Sequence, residues 1–208
     1  MGLAVSIGNP CLGFDAEGEE HYRKQFDLLH RELAGQGVDW SPPDDPPPAG
    51  ATRPHLGSFP YGYLHYLRRA YALVCDRQPV TPVSGPEDLE RARPYVDEVM
   101  FSVQPHLLCH SDSAGYYVPA PMDGPLFLSD EIGGGGLVGS CQGLLRELTR
   151  VAAPIGVRLE ADGSLSDAEA ARLFDNGDDP FGIEQAVWLT LYETCRVSVA
   201  SGHAVVYT

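Results

Sequence analysis

The chain has almost no lysine: Lys24 stands against thirteen arginines among its fourteen basic residues. That bias reads as GC-rich bacterial coding and carries no chemistry. Basic residues as a class are also scarce, 14 against 29 Asp and Glu, for a formal net charge of −15. A field of that sign repels phosphate backbones and anionic headgroups, which argues against nucleic acid and an anionic membrane surface as ligands. It attracts and steers basic partners. No run approaches the roughly 20 apolar residues that span a bilayer. The first residues, MGLAVSIGNPC, lack a basic n-region and hold only a short apolar stretch. No signal peptide is therefore expected, and the chain reads as cytoplasmic. The five cysteines, Cys11, Cys75, Cys109, Cys141 and Cys195, are odd in number and widely spaced. Such spacing favours reduced core thiols over a disulfide framework.

Known motifs are equally scarce. No G-K-[ST] follows a glycine loop, so there is no P-loop. DNGDD (175–179) does not follow the order of a calcium loop and lacks its closing Glu. No cofactor is implied, and no catalytic set is evident.

What is present is a chain of 208 residues, long enough for one well-buried core. It reads as a single α+β domain, 1–208, with a proline-rich loop at 40–54. Residues 3–7 suit a strand. Tyr22, Phe26, Leu29 and Leu33 recur at helical spacing, predicting a helix over 17–34. Ser58 as a cap and Pro60 in a first turn predict a helix entrance before a helix over 61–76. Residues 87–101 read as helical, with Pro94 imposing a kink or restart. HLLCH (106–110), YYVP (116–119) and PLFLSD (125–130) read as three short strands, the first two joined by a hairpin turn at 111–115. IGGGGLVGS (132–140) reads as a glycine loop leading into a helix over 140–153, and 157–166 as a short strand with a D-G turn. Ser166 with Glu169 forms a capping-box pattern opening a short helix. Residues 183–200 predict a buried C-terminal helix, and 204–208 a closing strand. Helices at both ends and strands in the middle, without βαβ alternation, predict a small, largely antiparallel or mixed sheet packed by several helices.

Three stretches carry candidate sites. If 106–112 is a strand, His106, His110 and Asp112 share one face and could hold a divalent metal or act as a general base. The structural alternative is a hydrogen-bonded core histidine that fixes the turn. Gly133, Gly134, Gly135 and Gly136 could present backbone N–H groups to an anion at a helix start, or dock a partner's side chain. Asp175, Asp178 and Asp179 belong to the segment 160–193, where nine acids face only Arg172, and they read as partner-binding together with Asp112. Residues 53–93 have the opposite balance, six arginines against four acids. Glu193 lies three residues before Arg196, a spacing for an intrahelical pair.

CHSDSAGYYVP (109–119), GGGGLVGSCQGLLRELTRVAAPIGV (133–157) and AVWLTLYETCRVSVASG (186–202) together resemble small bacterial cytoplasmic proteins associated with toxin immunity. The resemblance covers about half the chain and implies no catalytic residues. It implies an immunity-like or antitoxin-like protein that occludes a protein partner, such as a basic toxin, through its acidic surface. The alternatives are a small enzyme or metal protein using His106, His110 and Asp112, and a small-ligand or anion sensor using 133–140. Binding is favoured over catalysis, and oligomeric state is left open.

Overall fold

The computed structural model describes residues 2–48, 53, 57–175 and 177–208. In chain order the elements are β1 (Gly2–Ile7), α1 (Ala16–Gly35), β2 (Ser58–Pro60), α2 (Tyr63–Cys75), α3 (Pro86–Phe101), α4 (His106–Cys109), β3 (Gly115–Val118) and β4 (Leu126–Phe127). There follow β5 (Leu137–Ser140), α5 (Cys141–Ala152), a 3-10 turn (Ala153–Ile155), α6 (Asp167–Phe174), α7 (Gly182–Ser201) and β6 (Val205–Tyr207). The strands form one mixed sheet in the order β2-β1-β6-β3-β5-β4. Only the β3–β5 pair is parallel among the described strands. The fold is therefore α+β with a mixed sheet, as its sequence pattern predicts.

Strand side chains alternate between the two faces of a sheet, and here they sort into two cores. Leu3, Val5, Tyr117, Val205 and Tyr207 join α2, α5, α6 and α7 in the larger core. Tyr116, Val118, Val138 and Val206 join Phe26, Leu29 and Leu33 of α1, with Trp40, in the smaller one. Helix α1 is thus the cover of one face, and the other helices lie on the opposite face. Burying each large side chain of α1 contributes roughly 1.5–3 kcal/mol. Asp15 caps α1 by accepting the Glu17 N–H. Helix α7 runs through the larger core, where Trp188 is fully buried and its indole N–H donates to the Leu148 carbonyl at 2.7 Å. Among the described residues no helix is long and apolar enough to cross a membrane.

Four local expectations fail. Ser58–Pro60 is an edge strand paired with β1, and α2 starts after Gly62 instead. HLLC is one turn of helix, so 106–119 is no hairpin; β3 pairs with β5 and β6. The glycine loop feeds β5 before α5 begins. Residues 157–159 form no strand, although the turn at 160–163 is present, with Gly163 at φ +83. Helix α3 passes through Pro94 as one element. The loop 40–48 carries no helix or strand, and the remainder of the predicted proline-rich loop, apart from Arg53, lies outside the described residues.

Candidate protein-binding surface

Most of the positive charges are engaged by groups of the same chain, two of them in the interior. Arg68 and Arg69 are buried on α2. Arg68 donates to the carbonyls of Leu107 and His110, and Arg69 to those of Asp88 and Thr81. Arg53 is bound to the buried Glu193 and, at 2.9 Å, to Asp167. Arg196 also pairs with Glu193, at 3.0 Å, across one turn of α7 as the i,i+3 spacing predicts. Arg172 pairs with Glu169, whose carboxyl it holds below the usual range. Arg91 and Arg93 sit on Asp88 and Glu90. The segment 53–93 is therefore not a basic face: its arginines serve carbonyls and carboxylates of the same chain, leaving Arg77 as its one cation without such a partner among the described residues.

The same accounting corrects the acidic segment 160–193. Glu169, Glu184 and Glu193 are buried, so part of its charge never reaches the surface. Burial also raises the Glu184 carboxyl towards its neutral form.

The acidic surface that the fold does assemble lies over α1. Asp15, Glu17 and Glu19 sit at the helix start; Asp39, Asp44 and Asp45 lie in the loop after it; Asp130 and Glu131 lie in the turn after β4. Helical geometry explains why these flank α1. Phe26, Leu29 and Leu33 point into the sheet, which puts Gln25 and Glu32 on one flank of α1 and His30 on the other. Gln25 donates to the Glu131 carbonyl at 3.1 Å, and Glu32 accepts the Ser129 N–H at 2.9 Å. On the far flank, the His30 ring nitrogen lies 2.6 Å from the Trp40 carbonyl. His203 Nε2 lies 2.8 Å from the Asp45 carbonyl, holding the loop against the end of α7. Eleven carboxylates (nine over residues 15–45, with Asp130 and Glu131) share this layer with Arg23, Lys24 and Arg31. Two of those cations are already engaged by Glu20. The eight carboxylates named at the helix start, in the loop and in the turn make no ion pair among the described residues.

The histidine site dissolves. His106 and His110 are buried at the two ends of α4 rather than aligned on a strand. His106 Nδ1 accepts the Ser140 N–H at 3.1 Å. The His110 ring stacks on Tyr117 with centroids 4.1 Å apart, and its nitrogens lie 2.9 and 3.0 Å from the carbonyls of Ser111 and Tyr116. Burial pulls both imidazoles down to about 4. Asp112 is half-exposed and 3.6 Å from His65 instead. Among the described residues no group of three His, Cys, Asp or Glu could hold a metal. The enzyme and metal readings that join His106, His110 and Asp112 in one site fail on that geometry.

The backbone gives the anion-sensor reading no support at Gly133 and Gly136. The Gly133 N–H donates to Gln25 Oε1 at 2.8 Å and the Gly136 N–H to the Ile132 carbonyl at 3.0 Å, so two of the four glycine N–H groups are already taken by the fold. Gly134, Gly135 and Gly136 all have positive φ. A Cβ at Gly134 or Gly136 would lie 2.5 Å from the carbonyl oxygens of Ala114 or Leu128. Close backbone packing is what these glycines permit. Asp175 ends α6, and Asp179 accepts the Phe181 N–H at 2.8 Å. They sit in the helical layer across the sheet from the glycine loop, so these predicted contact residues do not form one patch.

What sequence reasoning missed is the acidity of 15–45. Its signal was available in the count of nine acids against three cations, but which carboxylates face solvent depends on the packing of α1.

No curated protein and no solved structure matches the chain. Over residues 1–207 it matches a family model described as "Putative DNA-mimic protein", a family distinct from toxin-immunity proteins. The immunity and antitoxin expectation is therefore withdrawn, and the chain belongs to this DNA-mimic family.

Proposed function

We propose that the chain acts as a DNA mimic, occupying the nucleic-acid-binding surface of a basic protein. The observation that carries this is the segregation of charge: most arginines are engaged by carbonyls and carboxylates of the same chain, while carboxylates without an ion pair are displayed around α1. A DNA-binding protein engages phosphates with Lys and Arg along a backbone that carries one charge per about 1.7 Å of duplex axis. Carboxylates held on a helix, a loop and a turn that are tied together offer the same protein a fixed array of anions without the entropy cost of ordering it. Gln25 ties the glycine loop to this face, and we assign Gly133–Gly136 the supporting role of placing Asp130 and Glu131. Asp112, Asp175, Asp178 and Asp179 would add to the long-range field rather than to this contact.

The test is competition. Proteins retained from a cell lysate on the immobilised chain should be released by duplex DNA. Each, once purified, should lose its duplex when the chain is added in stoichiometric amount. A retained protein that holds the chain and the duplex simultaneously would sink the reading. Reversing Asp44, Asp45, Asp130 and Glu131 to Lys should weaken binding and flatten its dependence on salt.

A further inference from the structure

Helix α3 buries only Ala92, while Tyr95, Val96 and Val99 rest half-buried on the larger core. At its C-terminal end Met100 and Val103 are 44% exposed and Phe101 is 85% exposed. Val103 also has φ +51, a left-handed backbone that a β-branched residue rarely adopts. Neither the aromatic left in water nor the strained backbone benefits the isolated fold, and such outliers gather at functional surfaces. The segment is a ridge between two clefts. One, of about 780 Å³, is walled by Val38, Val103, Pro121, Met122 and Leu126. The other, of about 370 Å³, is lined by Tyr71, Tyr95 and Val99. Val38 is followed by Asp39, so the larger cleft adjoins the acidic layer over α1.

Charge decides what can cover the ridge. At 100° per residue, Glu87, Asp97 and Glu98 fall on the same side of α3 as Phe101, and Asp123 stands in the larger cleft. Arg146 and Arg150 are the cations of the two clefts. A second copy of a chain of charge −15 would bring like charges together around the ridge, whereas a cationic protein would not. We propose that the ridge Met100–Val103 and the cleft beside it form the apolar centre of the surface on which a cationic, DNA-binding protein docks, with Asp97, Glu98 and Asp123 at its rim. This rests on the DNA-mimic reading and adds what phosphates alone lack: an aromatic anchor inside a charged rim, the arrangement that concentrates binding energy in protein interfaces.

The experiment uses the full chain and two probes: an oligolysine peptide, and a peptide of equal charge whose lysines are interspersed with phenylalanine. Fluorescence anisotropy measures both at low salt. The wild type should bind the mixed peptide at least about tenfold more tightly, a difference of about 1.4 kcal/mol. Phe101→Ser with Met100→Ser should remove that preference and leave oligolysine binding unchanged; both positions are exposed, so the fold should tolerate the change. Equal binding of the two peptides by the wild type, or a preference that survives in the variant, overturns the proposal alone. Failure to bind either peptide overturns the DNA-mimic reading with it. Sedimentation showing a wild-type dimer that the variant loses would assign the ridge to self-association and likewise overturn the proposal.

Discussion

Glu147 and Arg68 hold the one-turn helix α4 by its two ends. The Glu147 carboxylate accepts the N–H groups of His106 and Leu107 at 2.7 and 2.8 Å, and Arg68 donates to the carbonyls of Leu107 and His110. When Glu147 is ionised, its charge at the N-terminus and that of Arg68 at the C-terminus have the signs a helix dipole favours. Burial raises the Glu147 carboxyl to about 7 against those two N–H bonds, and lowers His106 and His110 to about 4. The signs of their effects on stability are opposite. The histidines stay neutral in the fold down to about pH 4 but take protons near 6.5 when unfolded, so stability is lost as pH falls through that window. Glu147 stays protonated in the fold up to about 7 but ionises near 4.5 when unfolded, so its contribution is lost as pH rises between them. Urea denaturation at several pH values should show wild-type stability rising between about pH 4.5 and 6.5, where two histidines outweigh one carboxyl. In Glu147→Gln the rise should be steeper by about 1.4 kcal/mol per pH unit, one proton's worth. An unchanged slope would show that Glu147 does not titrate there. At neutral pH the same variant should be less stable by about 1–3 kcal/mol, because an amide offers one acceptor oxygen to two buried N–H groups. Gly143→Ala should cost about 1–3 kcal/mol by the same assay, since its methyl would overlap the His106 ring that Ser140 holds in place.

Among the elements, α1, α6 and α7 are legible from the residues because periodicity and caps are local. Ser166 accepts the Glu169 N–H at 3.3 Å, as the capping pattern predicts. The reciprocal half is absent, because the Glu169 carboxylate turns to Arg172 and to the Arg158 N–H. Ser166→Ala should lower stability by about 1 kcal/mol, and Ser166→Asp should not; equal losses in thermal melts would rule out a capping role. The elements that escaped local reading are those made by distant partners. HLLC has an apolar run that suits a strand, yet side chains 39 and 40 residues away make it a helix. Ser58 and Pro60 look like a helix entrance, yet β1 recruits them as an edge strand, where proline's missing N–H is tolerated.

Across the whole molecule, charge governs behaviour more than any single contact does. A net charge of −15 on one folded chain carries self-repulsion that salt screens. Raising salt from about 0.01 M to about 0.15 M should raise the melting temperature of the free chain and weaken its binding to a basic partner. A melting temperature that falls with salt would mean that internal ion pairs, not repulsion, govern stability. The amino-acid sequence by itself determined the α+β class, the buried final helix and the sign of the field, because composition and short-range periodicity settle these. Tertiary structure alone decided which charges reach solvent. Arg68 and Arg69 vanish onto carbonyls, Glu193 is buried between two arginines, and two acidic segments are held on the flanks of α1, because side chains far apart in sequence are brought within hydrogen-bonding distance only when the sheet and its two covering layers close.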